Sequence, residues 1–293
     1  MSRVDTAIAG FHPDFVPVRA SVTRVTSIFE ERRGSHTLRI VSEEGRYRGV
    51  ANLAGAMGDV LEDEDLERLK RRLRQSVDIQ DPRYFGLDGA AKRFVSIFPR
   101  GFADEAYQSR ERAYKVAASA RLGSVLPLLL ARNASAAQAA SVQPVFNTGS
   151  LHETEAARIA QVLAGPTAAE FVRGAARFAD GRFSEGLKAM ENAVRPYGKA
   201  TWPMVTYLPW LWLPAEHVML KPRSTKEFAA RIGHGFAREY EATLFPDVYR
   251  SMLDLAVFTR DALHRMQPAD MIDVQGFIWV VGRYDDAEIV TTQ

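Results

Sequence analysis

The pattern of apolar residues changes once along this chain, near residue 60, from strand spacing to helical spacing. That change restricts the fold to a small β layer followed by helices. Residues 22–29 are rich in β-branched side chains, 36–41 alternate, and 46–50 alternate again after the turn text Ser42-Glu43-Glu44-Gly45. These segments predict two or three antiparallel strands. From Asp63-Glu64-Asp65 onward helix dominates. The acidic triplet opens a helix through Leu66, Leu69 and Leu73 that ends in Lys/Arg, the charge order the helix dipole favours. Residues 87–98 predict a second helix with Phe94, Ile97 and Phe98 on one face, and 102–130 a longer helical region broken before Pro127. Residues 131–143 are Ala/Ser-rich, a weak helix or a linker. The 3.6-residue period returns at 153–163, 168–178 and 184–194, and further helices are expected at 203–212, 224–233, 246–265 and 270–281. The expected class is mainly α (α+β): a β-rich layer over 1–60, a helical region over 61–145, and a helical domain over 146–293 that carries the site.

Composition narrows the chemistry. Hydrophobic residues make up 46% and charged residues 25%, enough apolar text to bury a core. No cysteine is present, which removes disulfides, thiolate zinc sites and cysteine nucleophiles. The six histidines (12, 36, 152, 217, 234, 264) make no pair at metal-ligand spacing on one helix, so no metal and no cofactor are expected. The first ten residues lack the basic and apolar stretches of a signal peptide, and no uncharged apolar run reaches the ~18–20 residues a bilayer requires. A cytoplasmic protein without a membrane partner is expected. The greasiest stretch, 203–220, carries three prolines with Glu216 and His217, and reads as buried core or pocket wall. Net charge is +2, so a nucleic-acid binder of this balance must gather its basic residues on one face.

Walker A, dinucleotide-binding glycine, His-Glu-x-x-His and Gly-x-Ser-x-Gly motifs are absent. Two segments of the last third carry the remaining polar text. In 216–226, Lys221 precedes Pro222 and is held out of helix. Ser224 or Thr225 can cap the helix that follows, whose free amides suit a phosphate. The same text also fits a capped helix–loop–helix junction with solvated charges. In 268–279, Asp270 reads as a cap and Asp273 falls in the first turn. Gln275 and Trp279 lie one turn apart, as do Asp273 and Phe277. A carboxylate and an amide beside an aromatic plate can read a base edge; capping plus core packing accounts for the same residues. A third segment, 98–115, is a tight turn feeding a helix with Arg110, Arg112 and Lys115, either a phosphate-backbone contact or a solvated face.

Thr201-Trp202-Pro203, residues 217–222, Tyr249 and residues 271–279, together with 98–115, resemble a widespread bacterial family associated with phage defence. The order of strands then helices is also similar to helix-hairpin-helix DNA glycosylases. The resemblance implies an N-terminal β layer with helical lobes and an N-glycosidic hydrolase that flips a modified base, such as a glucosylated cytosine, out of double-stranded phage DNA. On that reading Trp202, Tyr207 and Trp279 stack on the flipped base. Asp273 stabilises the sugar cation or activates water, and His217 helps the leaving base. Lys221 is the alternative amine nucleophile. Arg223, Lys226 and Arg231, with Ser224 and Thr225, hold phosphates. One departure stands out: where that superfamily carries a catalytic aspartate at a helix start, the matching position is near Ser224, and the loop before it carries no clear Gly-x-Gly hairpin motif. A non-catalytic DNA- or nucleotide-binding defence module, or a helical interaction scaffold, fits the same text.

Overall fold

The computed structural model describes residues 26–33, 36–43, 45–53, 55–79 and 84–283. Residues 22–25 of the first expected strand lie outside them. The chain divides into two compact units, Met1–Leu73 and Arg74–Gln293.

The first unit is an antiparallel meander of β1 (Thr26–Arg33), β2 (His36–Glu43), β3 (Arg46–Leu53) and β4 (Ala56–Asp63), each strand pairing with the next. The β2–β3 register sets Leu38 against Ala51 and Ile40 against Gly49. Leu38, Ile40 and Ala51 are therefore buried on one face while the intervening Arg39 points to solvent, the period of two that a half-covered sheet requires. Leu69 and Leu73, one turn apart on α1 (Leu66–Asp78), complete that small core. Asp65 caps α1: its Oδ1 accepts from the amides of Glu67 (2.9 Å) and Arg68 (3.0 Å). The helix start thus falls where the acidic triplet places it, but Asp63 itself ends a fourth strand that the sequence pattern does not announce. β4 carries Met57 at 80% exposed and Val60 at 59%, so it lacks a buried face and the alternation that would mark one.

The second unit is helical. In chain order it contains α2 (Gly86–Ile97), α3 (Glu105–Tyr107), a π-helical turn (Gln108–Arg112), α4 (Ala113–Val125), α5 (Leu128–Ala131) and α6 (Ala136–Ala140). Then follow α7 (Glu153–Ala164), α8 (Ala168–Ala179), α9 (Phe183–Val194) and α10 (Trp202–Trp212). The last are α11 (Pro222–Ile232), α12 (Phe236–Glu239), α13 (Pro246–Ala262) and α14 (Met271–Arg283). Among the described residues no helix is long and apolar enough to cross a membrane.

Two helices organise this unit. α10 is buried from Trp202 to Leu211, so the apolar stretch is core. It packs on α8, which packs in turn on α9. α14 is buried along nearly its whole length and packs against α11, α13 and α2. Gly282 makes the α11–α14 approach feasible: a Cβ there would collide with the Ser224 carbonyl. Phe94, Phe98, Phe102, Tyr107 and Phe277 form one aromatic cluster, with centroids of neighbouring rings 5.1–5.5 Å apart around Phe94, which places the expected face of α2 against α14. Val145 and Phe146, beside the boundary expected near 145, are buried in the same core that extends from Ala90 to Val281.

Candidate functional site

A cleft of about 1100 Å³ opens where the loop and first turn of α7 meet the start of α11 and the end of α14. Lys221, Arg223, Trp279, Arg283, His152 and Glu155 line it. Lys221 is the N-cap of α11, in the extended conformation that a residue before proline prefers (φ −105°, ψ 100°). The chain entering it is anchored from below. The Leu220 amide donates to Thr206 Oγ1 (3.0 Å), which donates to the Trp202 carbonyl (2.7 Å), and the Val218 carbonyl accepts from the Tyr249 hydroxyl (3.1 Å). Ser224 does not cap α11. It lies inside the first turn and its hydroxyl donates to the Lys221 carbonyl (3.3 Å), and Thr225 is buried behind it.

The Lys221 ammonium lies 4.2 Å from the centre of the Trp279 ring. The Arg283 guanidinium, one turn further along α14, lies 4.5 Å from the same ring. Among the described residues no carboxylate is within ion-pair range of Lys221, Arg223 or Arg283. Three acidic residues line the cleft: Glu153 is exposed at its α7 edge, and the other two are engaged elsewhere. Glu155 closes the α7 capping box on the His152 amide and accepts from the Thr201 hydroxyl, and Glu227 pairs with Arg231 (3.0 Å). Burial brings the Lys221 amine down to about 8; the charges of Lys115 and Arg283 push the same way, against Glu111 and Glu155. An unpaired, partly desolvated amine among cations can hold an anion as ammonium or attack an electrophile as free amine.

Asp273 is elsewhere. It is 2% exposed, and its Oδ1 accepts from the Tyr107 hydroxyl (2.8 Å) and Arg112 Nη1 (2.8 Å) while Oδ2 accepts from the Ala269 amide (2.8 Å). Arg112 also forks onto both oxygens of Asp270 (2.9 and 2.8 Å), which caps α14 through the Ile272 amide (2.9 Å). Gly276 admits this packing, since a Cβ there would stand 2.6 Å from the Tyr107 hydroxyl. The result is a buried lock between the π turn and α14. Burial, then the Asp273 charge, pushes the Tyr107 phenol well up, so Tyr107 remains a donor.

Next to the lock lies a second buried group. Lys115, 2% exposed, donates to Gln275 Oε1 (3.0 Å) and pairs with Glu111 (3.4 Å). The wide π turn brings Tyr107, Glu111, Arg112 and Lys115 round to α14 together. The basic text at 110–115 is therefore not a solvated or phosphate-facing stripe: of its three cations only Arg110 is exposed.

The other expected residues serve the core. His217 borders a smaller recess of about 460 Å³. Its Nε2 donates to the Ala179 carbonyl (3.0 Å), its Nδ1 lies 3.1 Å from the Tyr249 hydroxyl, and burial lowers its pKa, favouring the neutral imidazole. Trp202 is 1% exposed, donates to the Glu241 carbonyl (2.9 Å) and stacks on Tyr249. Tyr207 is 1% exposed and bonded to the Val145 carbonyl and Thr148 (2.8 Å each). Lys226 is exposed, 5.3 Å from the Tyr240 ring. Arg231 lines the cleft, but its Nη1 ties α11 to the Val281 carbonyl (2.7 Å). Of the expected set, Lys221, Arg223, Ser224, Arg231 and Trp279 share one cleft. Sequence reasoning passed over Arg283 and Glu155, and named Lys115 only as part of a basic helix face; the i,i+4 spacings Trp279/Arg283 and Glu111/Lys115 were the available signal. No protein-family model, curated protein or solved structure matches the chain.

Proposed function

We propose that this protein is a DNA glycosylase-like enzyme whose reactive group is the Lys221 amine. The observation that carries the proposal is an amine without a carboxylate partner among the described residues, brought down to about 8 and held on Trp279 in an open cleft that Arg223 and Arg283 also line. On this reading both arginines take phosphates of the DNA backbone, a role that their forked guanidinium groups suit. Trp279 holds cations rather than offering a bare face, so it positions the amine instead of stacking on the base.

The reaction this arrangement suits begins with free Lys221. Its nitrogen bonds to C1′ of the sugar, and the C1′–N glycosidic bond breaks with its electron pair leaving on the base, which takes up a proton. The C1′–O4′ bond then breaks with its electron pair going to O4′, and the two protons of the amine pass through water, one to the base and one to O4′, leaving an imine between Lys221 and C1′. Asp273 has no part in this, because its oxygens are filled by donors of its own unit. The sheet-then-helices order and the α10–loop–α11 helix pair support a helix-hairpin-helix glycosylase-like architecture. The resemblance supports modified bases of phage DNA as substrate, with the base flipped from the duplex.

The test is incubation of the purified chain with duplex DNA carrying glucosylated cytosine, read as released base and alkali-cleavable sites. Release that Lys221→Met abolishes supports the proposal; no release by folded protein from modified or plain DNA refutes it. The engagement of Glu155 and Glu227 favours one other reading, a module that binds nucleotides without turnover. It predicts salt-dependent DNA binding with no abasic product.

A further inference from the structure

A lysine at 2% exposure needs a reason. Taking an ammonium out of water costs several kcal/mol, and a buried pair is often replaceable by well-packed apolar residues without loss of stability. Lys115 has a poor claim as a stabiliser, because its carboxylate partner Glu111 stands at 3.4 Å. Its shorter bond, 3.0 Å, goes to Gln275 Oε1. Gln275 lies one helical turn before Trp279 on α14, on the same face, and Trp279 is the ring on which Lys221 rests at 4.2 Å. Lys115 thus bonds one residue of this α14 face and Lys221 rests on the next residue of it, one turn further on.

We infer that Lys115 is a positioning residue for Lys221: a buried positive charge behind α14 that sets the protonation and placement of the cleft amine through Gln275 and Trp279. The inference rests on the reading of Lys221 as the reactive amine. The charged groups facing Lys221 are Lys115 and Glu111 from the π turn and α4, Arg283 from α14 and Glu155 from α7. Burial lowers the Lys115 pKa; of the charges facing it, Glu111 and Asp273 favour the ammonium and Arg112 opposes it. After burial, Lys115 is the largest influence on Lys221, and it favours the free amine.

The test follows the lysine ε-carbon shifts of 13C-lysine-labelled full chain through pH, with Lys221 assigned by its loss in Lys221→Arg. Lys115→Met and Lys115→Gln remove the charge, the second keeping an N–H for Gln275, so that one neutral variant remains if the other does not fold. Lys115→Arg keeps the charge. The neutral variants are expected to raise the Lys221 midpoint above about 8, and the arginine variant to leave it low. An unchanged midpoint in a folded neutral variant, or an equal rise in Lys115→Arg, overturns the inference. The readout is independent of DNA chemistry: if no base is released while Lys221 titrates as described, the functional proposal falls and the positioning role stands.

Discussion

Asp273→Ala separates a structural carboxylate from a catalytic one. Asp273 accepts from three donors, the Tyr107 hydroxyl, Arg112 and the Ala269 amide. Truncation strands the buried Tyr107 phenol, at a cost of about 1–3 kcal/mol, and frees the Ala269 amide of an exposed residue. Arg112 retains its two bonds to Asp270. Breaking a buried ion pair from one side costs about 3–5 kcal/mol, and the surviving Asp270 fork puts the expected loss toward the lower end of that range. Asn is no rescue, because its NH2 would face one of the three donors. The assay is urea unfolding followed by tryptophan fluorescence. All four tryptophans (202, 210, 212, 279) lie in the second unit, so the signal reports on the body that holds the lock. With an m value of about 2–3 kcal/mol/M the midpoint falls by about 1–2 M. A midpoint within a few tenths molar of wild type, combined with lost DNA chemistry, would refute the structural assignment and return Asp273 to the reaction.

Gly282→Ala places a methyl against the Ser224 carbonyl, and overpacking of this kind costs about 1–3 kcal/mol; thermal denaturation of the variant should show the loss, and an unchanged melting temperature would mean α11 and α14 are not in close contact. His217 is held below its usual value by burial, so the unfolded chain binds its proton first as pH falls. Its contribution to stability is present above about pH 6.5 and lost as pH drops through the lower folded value; a pH series of urea midpoints should show a shallower acid slope in His217→Gln than in wild type. Lys221 behaves in the opposite window: with a folded value of about 8, the unfolded chain holds more protons between about pH 8 and 10, so stability rises with pH there, and Lys221→Met should flatten that rise.

Much of the helical framework was legible because each helix announces itself locally. α7, α8, α9 and α13 begin within a residue of where amphipathic spacing places them, and Phe245-Pro246 marks the last of these starts. Asp65 and Asp270 cap helices as their positions imply. β4 was illegible because a strand exposed on both faces carries no alternation. The site was legible on one side only. Lys221 and Trp279 stood out as a polar group before a proline and an aromatic near a helix end, but nothing local reports their meeting across 58 residues. The lock was hidden for the same reason, with Tyr107 and Asp273 166 residues apart and Arg112 and Asp270 158 apart. Arg112 and Lys115 read as a solvated basic stripe because helical spacing records which residues share a face, and says nothing of whether that face meets water. A π turn rotated them onto α14, a change no period analysis registers.

The account turns on the Lys221 amine as the group that meets the sugar. The most direct measurement is reductive trapping: full-length protein and duplex DNA carrying glucosylated cytosine are mixed with borohydride near pH 8, and the product is digested for peptide mass mapping. The account predicts a covalent protein–DNA adduct on the peptide containing Lys221, absent from Lys221→Met and retained in His217→Gln. Base release without any adduct, or an adduct on another lysine, would contradict it.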